Sequence, residues 1–278
     1  MVRLRRSVLY VPADNTRALA KARDLPADAV IVDLEDAVPP EAKEAARRAA
    51  TDARGLGREA AVRVNAAGTP WHDGDVAAVR AAGCAAVVLP KVRSAGEVER
   101  VAEATDAAVW PMIETAEGVL EAPAIARAAA RTGPAALVLG LNDLAAELGA
   151  LPGRERAELA YAMQRTVLAA RAAGVDVLDG VFNDIRDGEG LAAEAAAAAA
   201  LGMTGKTVIH PAQIGPVNAA FTPDARAVAE ARRIVEAMEA AAREGRAVAT
   251  LDGRLVERLH AEVARRTLAI ADAAGVTP

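Results

Sequence analysis

Eight short apolar runs punctuate the chain: SVLYVP (7–12), AVIVDLE (29–35), AAVRVN (60–65), AAVVLPKV (85–92), AAVWPMIE (107–114), AALVLGLND (135–143), DVLDGV (176–181) and GKTVIHP (205–211). Each is rich in β-branched residues and lacks the polar–apolar alternation of a half-exposed strand. That is the pattern of strands buried on both faces of a parallel sheet. Helix-like stretches separate them. Pro39 and Pro40 open one, Ser94 with Glu97 has the capping-box spacing, and Gly83 and Gly174 close two others. The alanine run 195–200 is strong helix material. Eight strand–helix repeats predict an α/β fold, a (β/α)8 TIM barrel with a C-terminal helical arm. A doubly wound open sheet is the alternative, but no GxGxxG follows the first run. The pattern changes after His210, where a long helix over 223–245, a short connection VATLDG and a final helix follow. The barrel is placed at 1–245 and the arm at 246–278.

Composition narrows the class. Hydrophobic residues make up 53% of the chain but aromatics only 2%, so the core is built from Ala, Val, Leu and Ile. The net charge is −5 with both signs interspersed, and no basic stripe for nucleic acid is present. Cys84 is the only cysteine, which excludes an intramolecular disulfide and the usual zinc spacings. The N-terminal apolar run is broken by Pro12, too short for a signal peptide. No run approaches the ~18–20 apolar residues of a membrane span. The expectation is a soluble cytoplasmic protein with no membrane partner.

In such a barrel chemistry sits at the C-terminal ends of the strands. There the runs deliver Asp33, Glu35 and Asp36, Arg63 and Asn65, Lys91, Glu114, Asp143, Asp179 and His210. Glu114 and Asp143 end adjacent runs. Two carboxylates without His or Cys suit a hard divalent cation, Mg2+ rather than Zn2+; helix capping or a lysine partner is the competing reading. Arg63 suits a substrate carboxylate or a developing oxyanion, or an ion pair with Glu35 or Asp36. Lys91 suits an acidic substrate or a structural ion pair. His72 and His210 are candidate proton carriers, His210 more naturally a fixed loop residue; His260 reads as surface.

The ordered motifs RSVLYVPADN, ADAVIVDLEDAVPPEAKEAAR, VRVNAAGTPWHDGD, VVLPKV, IETAEGVLEAPAIA, LVLGLNDLAAELG and GKTVIHPAQIGPVNAAFTP together resemble the citrate lyase beta subunit family, within the wider HpcH/HpaI aldolase and malyl-CoA lyase group. The resemblance implies a (β/α)8 barrel assembled as a homotrimer or hexamer, and Mg2+-dependent cleavage or formation of a C–C bond beside an acyl thioester. It implies that Glu114 and Asp143 hold Mg2+, that Arg63 binds the oxo-acid oxygen, and that Glu35 and Asp36 lie close to the metal's waters. Arg6, Pro12 and Lys91 would line the thioester-carrier side. CoA thioester and 2-oxo acid are the implied small-molecule partners, with citrate lyase partner subunits as a further implied association.

One departure stands out. Relatives acting on CoA thioesters carry G-x-M-I-D-x-P in the arm, its aspartate serving a neighbouring subunit's site. Here the text is DGRLVERLH, so Glu257 takes the aspartate position and Leu259 replaces the proline, with Asp252 a weaker substitute. Displacement of a catalytic group by about 1 Å costs roughly 100-fold in rate. The leading reading is therefore a lyase on malyl-, citramalyl- or citryl-CoA. Its competitors are a malyl-CoA thioesterase-like hydrolase, an aldolase on free 2-oxo acids, which would want a histidine before His72, and a non-catalytic scaffold.

Overall fold

The computed structural model describes residues 3–276. β1 (Ser7–Pro12), β2 (Ala29–Asp33), β3 (Glu59–Arg63), β4 (Ala86–Leu89), β5 (Ala108–Ile113), β6 (Ala136–Leu139), β7 (Asp176–Asp179) and β8 (Gly205–Val208) each coincide with one of the eight apolar runs. They form a closed parallel barrel in sequence order, with β8 pairing back onto β1. The connecting helices are α1 (Thr16–Ala22), α2 (Lys43–Ala50), α3 (His72–Ala82), α4 (Ala95–Thr105), α5 (Ala116–Ala130), α6 (Leu141–Leu148), α7 (Ala160–Ala173) and α8 (Gly188–Leu201), followed by α9 (Ile214–Ala220). β2 and β5 are buried along their whole length, which is why their sequences show no alternation. Gly83 and Gly174 terminate α3 and α7 in the left-handed conformation. Ser94 precedes α4 but its hydroxyl caps nothing; Glu97 reaches back to the Arg93 N–H instead.

Seven of the eight runs extend beyond their strands, and in two of them the overhang carries a candidate residue into another element. β4 stops at Leu89 and β6 at Leu139. Lys91 therefore lies in a turn, and Asp143 sits in the first turn of α6 rather than at a strand end.

The N-terminal end of the barrel is closed by Arg5, which is 3% exposed. Its guanidinium forks onto Glu59 at 2.9 and 2.7 Å, reaches Asp176 at 2.9 Å and donates to the Ala135 and Pro134 carbonyls. It also lies 4.5 Å over the Trp110 ring. Glu59 and Asp176 open β3 and β7, so one side chain ties four strands where no chemistry is expected. Arg6 shares this end: it pairs with Asp28, the residue before β2, at 2.8 Å.

The described part of the C-terminal unit comprises residues 219–276 with residues 3 and 4. It contains α10 (Ala225–Arg243), a hairpin of β9 (Ala249–Leu251) and β10 (Arg254–Val256), and α11 (Arg258–Ala273). Ala241 of α10 joins Ala249 and Val256 in the small core of this unit. The connection VATLDG is a strand and turn. Asp252 and Gly253 both have positive φ, 50° and 76°, as a two-residue hairpin turn requires. No helix among the described residues is long and apolar enough to cross a membrane.

Removal of a buried charged partner typically costs about 3–5 kcal/mol. Arg5→Met is expected to lower stability by about that amount, seen as a lower urea midpoint with an unchanged slope. An unchanged midpoint would show that Arg5 does not hold the strand starts together.

Candidate active site

Asp33 and Arg63 are the last residues of β2 and β3 and are register partners. The guanidinium grips Asp33 through two parallel bonds, Nε to Oδ1 at 2.7 Å and Nη2 to Oδ2 at 2.6 Å. Its Nη1 lies 3.0 Å from Glu35 and 3.3 Å from Asp36, and the Tyr10 ring is 5.0 Å from Cζ. The ion pair weighed in the sequence is present, but its main member is Asp33. Asp33 also accepts from the Glu35 and Ala37 N–H groups at 2.9 and 3.3 Å, curling the chain so that Glu35 turns back over the strand ends. A carboxylate two residues before the amide it caps is the local signal for this turn.

Beneath that turn lies buried Lys43. Its ammonium donates to the Leu34 and Glu35 carbonyls at 2.8 and 2.7 Å and to Asn65 Oδ1 at 2.7 Å. Burial pulls its pKa down while Asp33 and Glu35 oppose the shift. Asn65 is held in turn by Asp75 at 2.6 Å, and Asp75 by Arg47 at 2.8 Å. Sequence reasoning missed Lys43, Asp75 and Arg47 because they lie on helices, where charged residues normally face solvent. His72 Nδ1 sits 2.7 Å from the Asn65 carbonyl, which can only accept, so the ring proton is on Nδ1.

Glu114 follows β5 and is 1% exposed. Its Oε1 accepts from the Lys91 N–H at 2.7 Å. Lys91 has φ 54°, a left-handed conformation uncommon outside glycine. Its ammonium lies 3.7 Å from Glu35 Oε1 and 3.9 Å from Asp143 Oδ1. Gly140 leaves room for Glu114: a Cβ there would lie 2.2 Å from Oε2. Burial pushes the Glu114 carboxyl up to about 7 against the Lys91 N–H, with the Asp143 charge adding to the rise. Burial likewise pushes Glu35 up to about 8, against Arg63 and with Asp36 and Glu114. Its Oε2 is buried without an aligned hydrogen bond.

The structure therefore assembles Glu35, Asp36, Arg63, Lys91, Glu114 and Asp143, with Pro12 at the same end of β1, paired in register with Asp33. The cluster holds five carboxylates, with Asp33, against three cations: Arg63, Lys91 and Lys43. Ionised, it lacks two positive charges, the charge of one divalent ion. Among the described residues no three His, Cys, Asp or Glu side chains converge as a closed metal cage. Glu114 and Asp143 make an open, all-oxygen pair of the kind Mg2+ accepts while keeping its waters.

Other sequence candidates lie elsewhere. Arg6 is at the opposite end of β1, held by Asp28, because it precedes the strand; it is not brought to this cluster. Asp179 is fully buried between Lys206 and Arg156, each at 2.8 Å, with Glu194 completing the network. His210 accepts from the Ala212 N–H, the fixed loop role expected of it. His260 is half-buried and accepts from the Glu257 N–H at the start of α11, so it is a helix cap and not a bare surface residue. Glu257 and Asp252 belong to the C-terminal unit.

Gly140→Ala is expected to push Glu114 aside and destabilise the protein by about 1–3 kcal/mol, the usual cost of overpacking. Gly153→Ala, with open space around its Cβ, is the control. Equal melting temperatures for the two variants would show that Glu114 does not depend on Gly140.

The chain matches the HpcH/HpaI aldolase/citrate lyase family over residues 6–211. It is 44% identical over 273 residues to a (3S)-malyl-CoA thioesterase of Cereibacter sphaeroides, covering 96% of this chain and 95% of that protein. It is 36% identical over 290 residues to citrate lyase subunit beta of Escherichia coli, covering 99% and 95%. Among solved structures it is similar to CitE of Mycobacterium tuberculosis in complex with magnesium, acetoacetate and coenzyme A, with a TM-score of 0.78, 36% identity and coverage of 95% and 97%. A family match over most of the barrel and relatives matched end to end establish that the chain belongs to the HpcH/HpaI aldolase/citrate lyase family.

Proposed function

We propose that this chain is a Mg2+-dependent carbon–carbon lyase. It cleaves a short 3-hydroxyacyl thioester of the malyl-, citramalyl- or citryl-CoA type into a 2-oxo acid and an acyl thioester. The observation that carries the reading is the cluster of Glu114, Asp143, Arg63, Glu35 and Lys91, with its excess of carboxylate charge, at the C-terminal end of the barrel strands. A relative named citrate lyase subunit beta, and another solved with magnesium, acetoacetate and coenzyme A, support it.

Glu114 and Asp143 are assigned to the metal. They would hold Mg2+, which would supply Lewis-acid polarisation of the substrate's oxygens. Arg63 has five N–H donors and spends only part of them on Asp33, Glu35 and Asp36; the remainder is assigned to the oxygen that gains charge as the bond breaks. Glu35, raised to about 8, exchanges a proton near neutral pH and is assigned to the substrate hydroxyl or the departing carbon. Lys91 is assigned to the free carboxylate of the substrate, with Asp36 and Pro12 beside it. Glu257 is assigned as an acid given to a neighbouring subunit in a homotrimer or hexamer. Within this reading citrate lyase partner subunits are an alternative source of the acyl carrier.

A second reading keeps the same site but ends in hydrolysis, a malyl-CoA thioesterase-like activity. The relative at 44% identity that carries that name favours it. Product analysis separates the two. A 2-oxo acid with an acyl-CoA supports the lyase, whereas free hydroxy acid with free CoA supports hydrolysis.

Purified protein with Mg2+ and a panel of these thioesters is expected to turn over. Glu114→Ala and Asp143→Ala are expected to abolish Mg2+ binding in calorimetry. Arg63→Lys, which keeps the charge and loses the fork, is expected to lower kcat by about 100-fold. Full Mg2+ affinity in both carboxylate variants would make the metal assignment wrong.

A further inference from the structure

A second charged constellation lies wholly within the C-terminal unit. Arg226, Glu230 and Arg233 fall at i, i+4 and i+7 of α10, which places them on one face of the helix. Opposite stand Leu251, Asp252 and Arg254 of the hairpin. Together with Ala229 they line a cleft of about 510 Å3. The hairpin is pinned to the helix by its own turn. Asp252, in the left-handed conformation, reaches Arg233 Nη2 at 2.6 Å, and Glu230 holds Nη1 of the same guanidinium at 3.0 Å. Both carboxylates of the cleft are thereby committed to one arginine. Arg226 and Arg254 are exposed, and among the described residues neither side chain makes a hydrogen bond or ion pair.

Two unpaired guanidiniums, one from the helix and one from the hairpin, offer two forks for anionic oxygens. One carboxylate would fill a single fork. A cleft of this size, with a braced third arginine, suits two linked phosphates. Nucleic acid fits poorly, because the chain is acidic overall, with a net charge of −5, and the cleft is local.

We propose that this cleft binds a diphosphate group, through Arg226 and Arg254 with Arg233 as the fixed element between helix and hairpin. The diphosphate belongs either to a free nucleotide or to the nucleotide end of a coenzyme A carrier. The chemistry is the same and the test separates the two.

The test is calorimetric titration of the full chain with sodium pyrophosphate, in low-salt buffer freed of divalent cations. One binding event is expected. The double variant Arg226→Gln/Arg254→Gln should weaken it by about tenfold or more, as loss of two charge-assisted forks implies. Arg265→Gln/Arg266→Gln, the same charge change on exposed residues of α11, should leave it unaltered. Glu114→Ala should also leave it unaltered. Parallel titrations assign the source: weakened coenzyme A binding in the double variant points to the carrier, and weakened ADP binding alone points to a free nucleotide. The proposal is overturned by no binding of pyrophosphate to the wild type, by equal affinity in the double variant, or by equal weakening in either control.

Discussion

The charged cluster at the C-terminal end of the barrel strands hangs on the fork between Asp33 and Arg63. Both are terminal residues of adjacent strands and face each other by register, so the sheet itself sets their spacing. Asp33 then spends its remaining acceptor capacity on the Glu35 and Ala37 amides. A single carboxylate therefore fixes the direction of the arginine and the path of the acidic turn. Breaking it would leave a guanidinium buried beside Glu35 and Asp36 without its best partner, which is the costly way to disrupt a buried pair.

The second organising element is the opposition between burial and charge at Glu114 and Glu35. Both carboxyls are raised mainly by desolvation, and each is raised further by neighbouring acids. Lys91 moderates this twice, with its N–H on Glu114 and its ammonium between Glu35 and Asp143. The left-handed backbone at Lys91 aims both groups, a local strain of about 1–3 kcal/mol that the surrounding contacts outweigh.

The barrel was legible because the strands are buried on both sides along most of their length, which leaves short, mainly apolar runs without alternation. That the polar groups ending those runs gather in one cluster was legible for the same reason: a polar group that ends a buried strand has few places to point. Where the run continued past the strand, as at Asp143, the residue was found but its element was misread, since Leu141 and Leu144 belong equally to a strand and to the buried face of a helix. Arg6 lies at the opposite end of β1 from this cluster, since adjacency to a strand does not say which end a residue meets. The Lys43–Asn65–Asp75 layer and the Arg5 plug leave no sequence signal, because their long-range partners are set only when the barrel closes. The hairpin at Asp252–Gly253 did carry its signal, a DG pair, but its flanking strands are only three residues each.

The chain has two tryptophans, and the fold gives each its own cation: Trp110 lies under Arg5 and Trp71 beside Lys43. Trp110 reports on the closed end of the barrel, and Trp71 on the layer that supports the acidic turn. Intrinsic tryptophan fluorescence thus has two origins, one at the N-terminal end of the strands and one in the layer beneath the charged cluster. A protein with one fluorophore of each kind can show whether loosening around a ligand leaves the far end of its barrel untouched.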